Sequence, residues 1–333
     1  MKWVIAAPYS VDIESGLWRE VALLRNSKTD LINSKANYHH NRSRQHTSTN
    51  EWLDYWNHSK QTWDIAQQHE AGIFTAFPQL ATLISLKKRI SYANRPLIAG
   101  TFNLGGLPQG VKQYLASNAL QSIDKFIVHS SYERLSYSQY LNLPISKFEF
   151  IHLHRPILPI TIQEDTSNPF ILAVGSAKRD YATFIEAVKK LGYKTIIITA
   201  PHALQNIPLP RNVSVKSNLS ISECRQMVQK ARINIIPLDN KSTASGQVTV
   251  IEAMMLGKAI IATNSIGTID YVTSDTGHLI KENDLMDMCN ALTYLWENEQ
   301  ERKRLGNNAR NFAIKEFSSK TAACKINKIL DVF

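Results

Sequence analysis

Residues 243–258 read TASGQVTVIEAMMLGK, a short polar loop followed by an apolar helix that ends at Gly257. Small residues dominate the loop, and Gly246 allows a ligand to approach the backbone closely. The free amides at the start of such a helix, together with the helix dipole, favour a negatively charged group. The segment therefore predicts an anion-binding site, and a diphosphate is the ligand that suits it best.

Glu252 is the unusual residue of this helix. It shares a helix face with Val248 and Met255, which lie four residues before it and three residues after it. A carboxylate on an apolar face is costly unless it has partners. Two explanations are open: Glu252 caps a neighbouring backbone or pairs with a lysine, or it accepts hydrogen bonds from two ribose hydroxyls.

Strands and helices alternate on both sides of this segment. Apolar strands are predicted at residues 3–7, 72–77, 96–101, 125–130 and 148–153, and again at 170–174, 194–199, 213–215, 233–237 and 259–263. Helical patterns lie between most of them, so the alternation predicts α/β units with parallel sheets.

The domain boundaries follow from length and from a break in this alternation. A chain of 333 residues is above the size at which single cores usually divide. We place the first domain at residues 1–155, a proline-containing polar linker at 156–168 and the second domain at 169–316. A C-terminal helix occupies residues 317–333, and packing back on the first domain is one option for it.

Residues 252–263, EAMMLGKAIIAT, resemble the signature of family 4 retaining glycosyltransferases. Gly267, the run DYV at 270–272 and the run TGHLI at 276–280 resemble the same signature. The likeness extends over residues 169–316. It implies a GT-B fold, in which two Rossmann-like doubly wound domains face a cleft, and it implies a nucleotide diphosphate-sugar as the donor.

The family has a motif of two glutamates, and this chain matches it in part. The resemblance implies that Glu252 is the second glutamate, the one that binds ribose. Ala244 stands where the first glutamate, which usually contacts the donor sugar, is expected. Ser245, Gly246 and Gln247 are candidates to replace that contact through their amides and through the Gln247 side chain.

A second candidate loop, GSAKRDY at residues 175–181, directly follows a predicted strand. Members of the family usually have an arginine after the glycine and a lysine a few residues later, both on the diphosphate. Here Ser176 replaces the arginine, and Arg179 stands at the lysine position beside Lys178. Arginine suits a bidentate phosphate contact. The alternative is that the Lys178–Arg179 pair caps a solvated loop.

The predicted donor site combines the two loops and the helix: Gly175, Ser176, Lys178, Arg179, Thr243, Ser245, Gly246, Gln247, Val248 and Glu252. Of these residues, Arg179, Lys178 and Glu252 are assigned to catalysis. Because positive groups already stabilise the leaving diphosphate, neither a metal nor another cofactor is expected.

The acceptor site is less defined. Asn103 follows the strand at residues 96–101, and His39 lies in a polar stretch. Both are candidate acceptor contacts, while a tight turn capped by Asn103 is the alternative. A polar stretch with a helical pattern contains Trp52, Trp56 and Trp63. We expect these tryptophans to pack in the core, and a surface that binds sugar or lipid is the alternative.

The resemblance implies transfer of a sugar to an acceptor hydroxyl with retention at the anomeric carbon. Synthesis of bacterial surface polysaccharide, lipopolysaccharide or glycolipid is the expected setting, with a carbohydrate or lipid-linked acceptor. The residue at position 244 motivates an alternative: a non-catalytic GT-B protein that binds a nucleotide sugar, or a partner subunit of an active transferase. An epimerase or phosphorylase on the same architecture is a third class.

Charge and cysteine content bear on partners and compartment. The net charge of +10 fits an anionic membrane surface or a phosphate-holding cleft, and a merely basic surface explains it as well. No recognised nucleic-acid motif accompanies it. Cys224, Cys289 and Cys324 are far apart, which indicates neither disulfides nor zinc and fits a reducing compartment.

Targeting signals are also not apparent in the sequence. The apolar run at residues 3–7 is shorter than the apolar part of a signal peptide. No run approaches the ~20 apolar residues of a membrane span. We therefore expect a cytoplasmic protein, with peripheral attachment to the inner face of the membrane as one option.

Overall fold

The computed structural model describes residues 1–9, 11–27, 29–38, 47–239 and 243–333. The chain divides into two compact units. Unit 1 comprises Met1–His152 and Ser319–Phe333, and unit 2 comprises Leu153–Ser318. Residues 156–168, the segment predicted as a linker, are thus part of unit 2.

Unit 1 begins with alternating strands and helices. The strands are β1 (Trp3–Ala6), β2 (Leu31–Ser34), β3 (Gly72–Ala76), β4 (Leu97–Gly100), β5 (Lys125–Val128) and β6 (Phe148–Phe150). The helices are α1 (Gly16–Leu24), α2 (Thr49–Gln68), α3 (Pro78–Ile90), α4 (Val111–Leu120) and α5 (Ser131–Leu141).

Unit 2 repeats this alternation. Its strands are β7 (Ile171–Val174), β8 (Thr195–Ile198), β9 (Val213–Lys216), β10 (Ile233–Ile236), β11 (Ile260–Thr263) and β12 (His278–Ile280). Its helices are α6 (Tyr181–Leu191), α7 (Ile221–Lys230), α8 (Gln247–Met255), α9 (Leu285–Glu297) and α10 (Glu299–Phe317). The last helix of the chain, α11 (Ser319–Leu330), belongs to unit 1.

Each unit has one parallel sheet. The strand order is β2-β1-β3-β4-β5-β6 in unit 1 and β12-β11-β10-β7-β8-β9 in unit 2. The order reverses beside the first strand of each sheet, so the switch points lie between β1 and β3 and between β7 and β10. Ligands of such sheets bind at the carboxyl ends of the strands beside a switch point. The prediction of two doubly wound α/β domains is confirmed.

The inner strands β8, β10 and β11 of unit 2 are buried along their whole length, as expected where helices cover both faces of the sheet. On β8, Ile196 and Ile198 belong to one buried cluster, together with Val250 of α8. Ile197, between them, belongs to a second cluster with Phe184 of α6. The sheet therefore fixes the position of α8, whose first turn was predicted to bind an anion.

The C-terminal helix α11 completes the core of unit 1 by packing on α1. Ala323, Ile326 and Leu330 are buried in the same cluster as Trp3 of β1. Gly72 lies against this tryptophan, and a Cβ at position 72 would stand 2.7 Å from the indole ring. The tryptophan and the last helix therefore close one face of the sheet.

Some expectations for unit 1 and for short strands were wrong. Trp63 is buried, but Trp52 is 40% exposed and Trp56 is 59% exposed, so core packing explains only one of the three tryptophans. Strands β2 and β12 were not predicted because they have only four and three residues. Among the described residues, no helix is long and apolar enough to cross a membrane.

Candidate functional site

The two loops predicted to bind an anion meet at the switch point of unit 2. One loop follows β7 and the other follows β10, the neighbouring strand. The Asp180 N–H donates to the Pro237 carbonyl at 3.1 Å, and the Asp239 N–H donates to the Lys178 carbonyl at 3.2 Å. These backbone hydrogen bonds hold the first loop against the start of the second.

Gly175 shapes the loop after β7. Its φ of +116° is a conformation that other residues rarely adopt. A Cβ at this position would overlap the Arg179 guanidinium. The Tyr181 hydroxyl donates to the Gly175 carbonyl at 2.5 Å and holds the loop in place. The glycine thus provides the space that the Arg179 side chain occupies.

The Arg179 guanidinium lies beside the first turn of α8. Nη1 donates to the Ala177 carbonyl at 2.7 Å, and Nη2 donates to the Val174 carbonyl and to Thr249 Oγ1, both at 3.2 Å. Burial lowers the pKa of Arg179. No carboxylate of the described residues forms an ion pair with it. A desolvated cation without a counter-charge favours a bound anion.

The other two polar residues of this loop differ from each other. Lys178 is exposed, and no described residue forms an ion pair with its ammonium group. Ser176 Oγ accepts hydrogen bonds from Thr199 Oγ1 at 3.0 Å and from the Ala200 N–H at 2.8 Å. The serine side chain therefore ties the end of β8 to the loop, whereas the lysine is available to a ligand.

The start of α8 is open to a ligand. Its N-cap, Gly246, has a φ of +86°, and no side chain of the described residues caps this end, so the first amides need another partner. A Cβ on Gly246 would stand 3.0 Å from the Leu238 side chain. A Cβ on Gly267 would overlap the backbone of Ser245. Close packing at both glycines holds the loop beside the strand ends.

The remaining predicted donor residues of this loop differ in exposure. Thr243 is buried, as is Ala244, while Val248 is 41% exposed. Gln247 is 8% exposed and is the first residue of α8. Its side-chain amide carries both a donor and an acceptor, so Gln247 is a candidate to bind a ligand at the start of this helix.

Glu252 is held by two arginines. Arg225 of α7 donates from Nη2 to Oε1 at 2.9 Å and from Nε to Oε2 at 3.3 Å, and Arg155 Nε lies 3.6 Å from Oε1. Glu252 raises the pKa of Arg225 through this hydrogen bond. The partners are thus arginines, not the lysine considered from the sequence. A carboxylate has about four lone-pair sites, so capacity for hydroxyl donors remains.

Neither arginine was predicted from the sequence. Arg225 lies within α7, a helix that starts with a capping box of Ser220 and Glu223. Arg155 lies in the proline-containing segment before β7. A half-buried glutamate signals a need for cations, but only the packing of α7 against α8 brings Arg225 to it. Thr249 was also missed, because its partner Arg179 is 70 residues away in the sequence.

The acceptor candidates belong to unit 1. The Asn103 side-chain amide donates to Glu133 Oε1 at 3.1 Å, and Asn103 Oδ1 accepts from the Gly105 N–H at 2.7 Å. The Tyr137 hydroxyl donates to the same Glu133 oxygen at 3.0 Å, and burial raises the pKa of Tyr137. Asn103 therefore stabilises a turn and a buried network. His39 lies outside the described residues.

Comparison with known proteins bears on the class of this site. Residues 159–312 match the family model for glycosyl transferases group 1. An uncharacterized glycosyltransferase of Methanocaldococcus jannaschii is 25% identical over 270 residues, which are 77% of this chain and 73% of the relative. The predicted transferase class is confirmed by these matches. The residues that match the family model include both loops of unit 2.

Solved structures share the fold. A glycosyltransferase from Rickettsia africae has a TM-score of 0.70 at 15% identity and covers 99% of this chain and 98% of its own. Anabaena HepE in complex with UDP and glucose has a TM-score of 0.71 at 13% identity and covers 100% of both chains. Sucrose-phosphate synthase from Thermosynechococcus elongatus has a TM-score of 0.73 at 12% identity, covering 100% of this chain and 99% of its own. The GT-B fold class is thereby confirmed.

Proposed function

We propose that this glycosyltransferase moves a sugar from a nucleotide diphosphate-sugar to an acceptor hydroxyl, with retention at the anomeric carbon. One observation carries the donor assignment. The Arg179 guanidinium, which forms no ion pair among the described residues, donates to Thr249 in the first turn of α8. Two positive centres converge there, because the helix start is also positive.

The diphosphate is the group that this arrangement suits. A guanidinium and a helix start of like sign repel each other unless an anion lies beside both. The uncapped amides after Gly246 and the guanidinium offer hydrogen bonds to phosphate oxygens. Lys178, on the same loop, adds a mobile ammonium. In this proposal Arg179 and Lys178 neutralise the charge that develops on the leaving diphosphate.

The ribose is assigned to Glu252. This residue lies six positions after Gly246, which corresponds to about 9 Å along the helix. That spacing separates a diphosphate at the helix start from a ribose at the carboxylate. The bidentate contact from Arg225 orients the carboxylate and leaves acceptor capacity for two hydroxyls. The resemblance of residues 252–263 to the family 4 signature supports the same role.

The sugar end of the donor is assigned to Gln247 and the amides of Ser245 and Gly246. Gln247 is the first residue of α8, and its side-chain amide offers a donor and an acceptor to the hydroxyls of a sugar. Ala244, at the position of the missing family glutamate, is buried and offers no polar group. We therefore propose that Gln247 replaces the glutamate in contacting the donor sugar.

The proposed reaction needs no protein base. The bond between the anomeric carbon and the phosphate oxygen breaks, and the acceptor oxygen forms its bond to the same carbon on the same face. The proton of the acceptor hydroxyl passes to the leaving phosphate oxygen. Positive charge from Arg179, Lys178 and the α8 start stabilises that oxygen, so the proposal includes no metal ion. Support for retention comes from the sequence resemblance.

For the donor, the acceptor and the biosynthetic pathway we propose only a general class. A solved relative of the same fold was studied with UDP and glucose, which supports a nucleotide-sugar donor. A carbohydrate or lipid-linked acceptor in surface polysaccharide, lipopolysaccharide or glycolipid synthesis remains our proposal. The net charge of +10 supports attraction to an anionic membrane surface, and so a place at the inner face of the membrane.

The test is turnover of a panel of nucleoside diphosphate-sugars, with release of the nucleoside diphosphate as the signal. The wild type should turn over at least one donor, and Arg179→Ala and Glu252→Ala should each lose most of that activity. Glu186→Ala, on the exposed face of α6, is the matched control that should keep it. If both site variants retain wild-type activity, the site assignment is wrong.

The same panel separates the alternative function. Because Ala244 stands at a position that is usually acidic, a protein that binds a nucleotide sugar without transferring it is the competing proposal. Donor binding, measured by thermal shift, without transfer or hydrolysis across donors and acceptors would favour that alternative. Product formation with any acceptor would exclude it.

A further inference from the structure

A cavity of about 250 Å³ lies at the opposite edge of the unit 2 sheet from the donor loops. Residues 160–164, the end of α7, the turn between α8 and β11, and the first turns of α10 form its walls. These elements reach the amino ends of β10 and β11, whereas the donor loops follow carboxyl ends. The proposed transfer reaction does not use this cavity.

The positive and negative charges of the side chains that line the cavity are not equal in number. The cations are Arg232, Lys258, Arg302 and Lys303, and the carboxylates are Glu164 and Glu299. Glu164 Oε1 serves two cations at once, Arg232 Nε at 3.0 Å and Arg302 Nη2 at 3.5 Å. Glu299 pairs with Lys303 at 2.5 Å. Two positive charges are therefore in excess.

Lys258 is a cation of this cavity that forms no ion pair with a described carboxylate. Its Nζ donates to the Gln229 carbonyl at 3.0 Å. Burial lowers the pKa of Lys258 to about 8, with Glu164 opposing this effect and Arg302 adding to it. An anion beside the ammonium would offset the cost of burial and raise this pKa again.

The two arginines are held in place by the protein. Arg302 is 7% exposed, and its Nη1 donates to the carbonyls of Leu295 and Trp296 at 2.8 and 2.9 Å. The buried Arg302 Nε has no hydrogen-bond partner among the described residues. The Arg232 guanidinium lies 4.8 Å from the centre of the Trp296 ring. Cations fixed in this way lose little freedom when a ligand binds.

We infer that this cavity is a second anion site, which binds a small compound carrying one doubly charged phosphate group. Two excess positive charges match one such group, and ammonium and guanidinium groups are its usual partners in proteins. Lys258 supplies a buried ammonium group, Lys303 an exposed one, and Arg302 a fixed guanidinium. The cavity is larger than phosphate itself and leaves room for a small substituent.

The proposed anion site and the donor site lie at opposite ends of α8. Leu256 and Gly257, which follow the helix, line the cavity, and Gly246 precedes the helix at the donor loop. The nine residues of α8 span about 14 Å. A ligand in the cavity therefore does not compete for space with the donor, and binding at the two sites is separable by experiment.

The test titrates the full chain with sulfate in a calorimeter, because sulfate keeps two negative charges across the neutral and mildly alkaline range. Because the donor loops are themselves a proposed anion site, the variants are made in a chain that also carries Lys178→Ala and Arg179→Ala, which removes the donor-site cations. This double variant should keep saturable binding, and Lys258→Met in it should weaken the binding at least tenfold. Lys303→Gln, at a side chain that is 73% exposed, should weaken it about threefold.

The pH dependence gives a second measurement that needs no variant. Because only the protonated lysine attracts an anion, the affinity for sulfate should fall as the pH rises above about 8. The charged groups that act on Lys258 are Glu164, which raises its pKa, and Arg302, which lowers it. The inference is overturned if the wild type shows no saturable binding, if the Lys178/Arg179 double variant loses the binding, or if Lys258→Met leaves the binding of that double variant unchanged. None of these results depends on the proposed transfer activity.

Discussion

Arg225 on α7 spans both carboxylate oxygens of Glu252 on α8, at 2.9 and 3.3 Å. Glu252 has a side-chain exposure of 19%, and that of Arg225 is 32%. A pair this far from bulk water is stronger than a surface ion pair, and it restricts the carboxylate to one orientation. Arg225 thus acts through Glu252 as a positioning residue for the proposed ribose contact.

Loss of Arg225 should therefore weaken donor binding more than it slows the transfer step. We expect Arg225→Ala to raise the KM for the donor about tenfold, or roughly 1.4 kcal/mol, and to change kcat much less. Arg225→Lys should restore part of the loss, since a lysine offers charge without the bidentate geometry. Steady-state kinetics with the best donor of the panel provide the measurement.

The matched control for this prediction is Arg211→Ala. Arg211 is an exposed arginine of the same unit, in the loop before β9. The substitution Arg211→Ala changes the net charge as Arg225→Ala does, but it leaves the contact between Arg225 and Glu252 in place. Equal effects of the two substitutions on KM would contradict a positioning role for Arg225.

A substitution at Gly175 tests the role of Arg179 without changing the Arg179 side chain itself. Gly175→Ala puts a methyl group in the space of the guanidinium, at a φ of +116°. We expect kcat/KM for the donor to fall about 100-fold, because a displaced guanidinium no longer faces the α8 start. Activity and the melting temperature should be measured together.

Gly192→Ala is the control for backbone strain. Gly192 ends α6 at a φ of +71°, but a Cβ there would meet no atom within 4 Å. This substitution should cost about 1 kcal/mol of stability and leave kcat/KM unchanged. If Gly175→Ala is as active as Gly192→Ala, the position of Arg179 does not matter for turnover.

The sequence predicted the strands β7 and β10, and the loops that follow them, because their signals are local. Parallel strands buried on both faces appear as apolar runs, and a glycine after such a run marks a turn at the carboxyl edge. Short strands with half-exposed residues, such as Leu31–Ser34, give no such signal. Arg225 was missed because it is 27 residues from Glu252, and only the packing of two helices brings the pair together.

Gln247 provides a test of the proposed sugar contact. Its side-chain amide, at the first position of α8, offers a donor and an acceptor, so we expect it to bind a hydroxyl of the donor sugar. Gln247→Ala should lower kcat/KM for the nucleotide sugar about tenfold, the value of one lost hydrogen bond in a buried site. The Kd for the free nucleoside diphosphate should stay within about twofold, as expected for a contact beyond the phosphates.

Ile221→Ala is the control, since Ile221, the first residue of α7, is 69% exposed and has no polar side-chain group. It should leave both quantities unchanged. A Gln247→Ala variant that weakens the free nucleoside diphosphate and the nucleotide sugar equally would show that Gln247 acts on the diphosphate and not on the sugar.

The C-terminal helix is expected to stabilise unit 1. Ile326 of α11 is 4% exposed and packs in the cluster that contains Trp3 and Val21. Ile326→Ala removes buried methyl groups and leaves a cavity, so it should lower the free energy of unfolding by about 2–4 kcal/mol. Lys328→Ala, at an exposed position of the same helix, should change it by less than about 0.5 kcal/mol. Denaturant titration of the two variants measures the difference, and equal midpoints would mean that α11 contributes little to the core of unit 1.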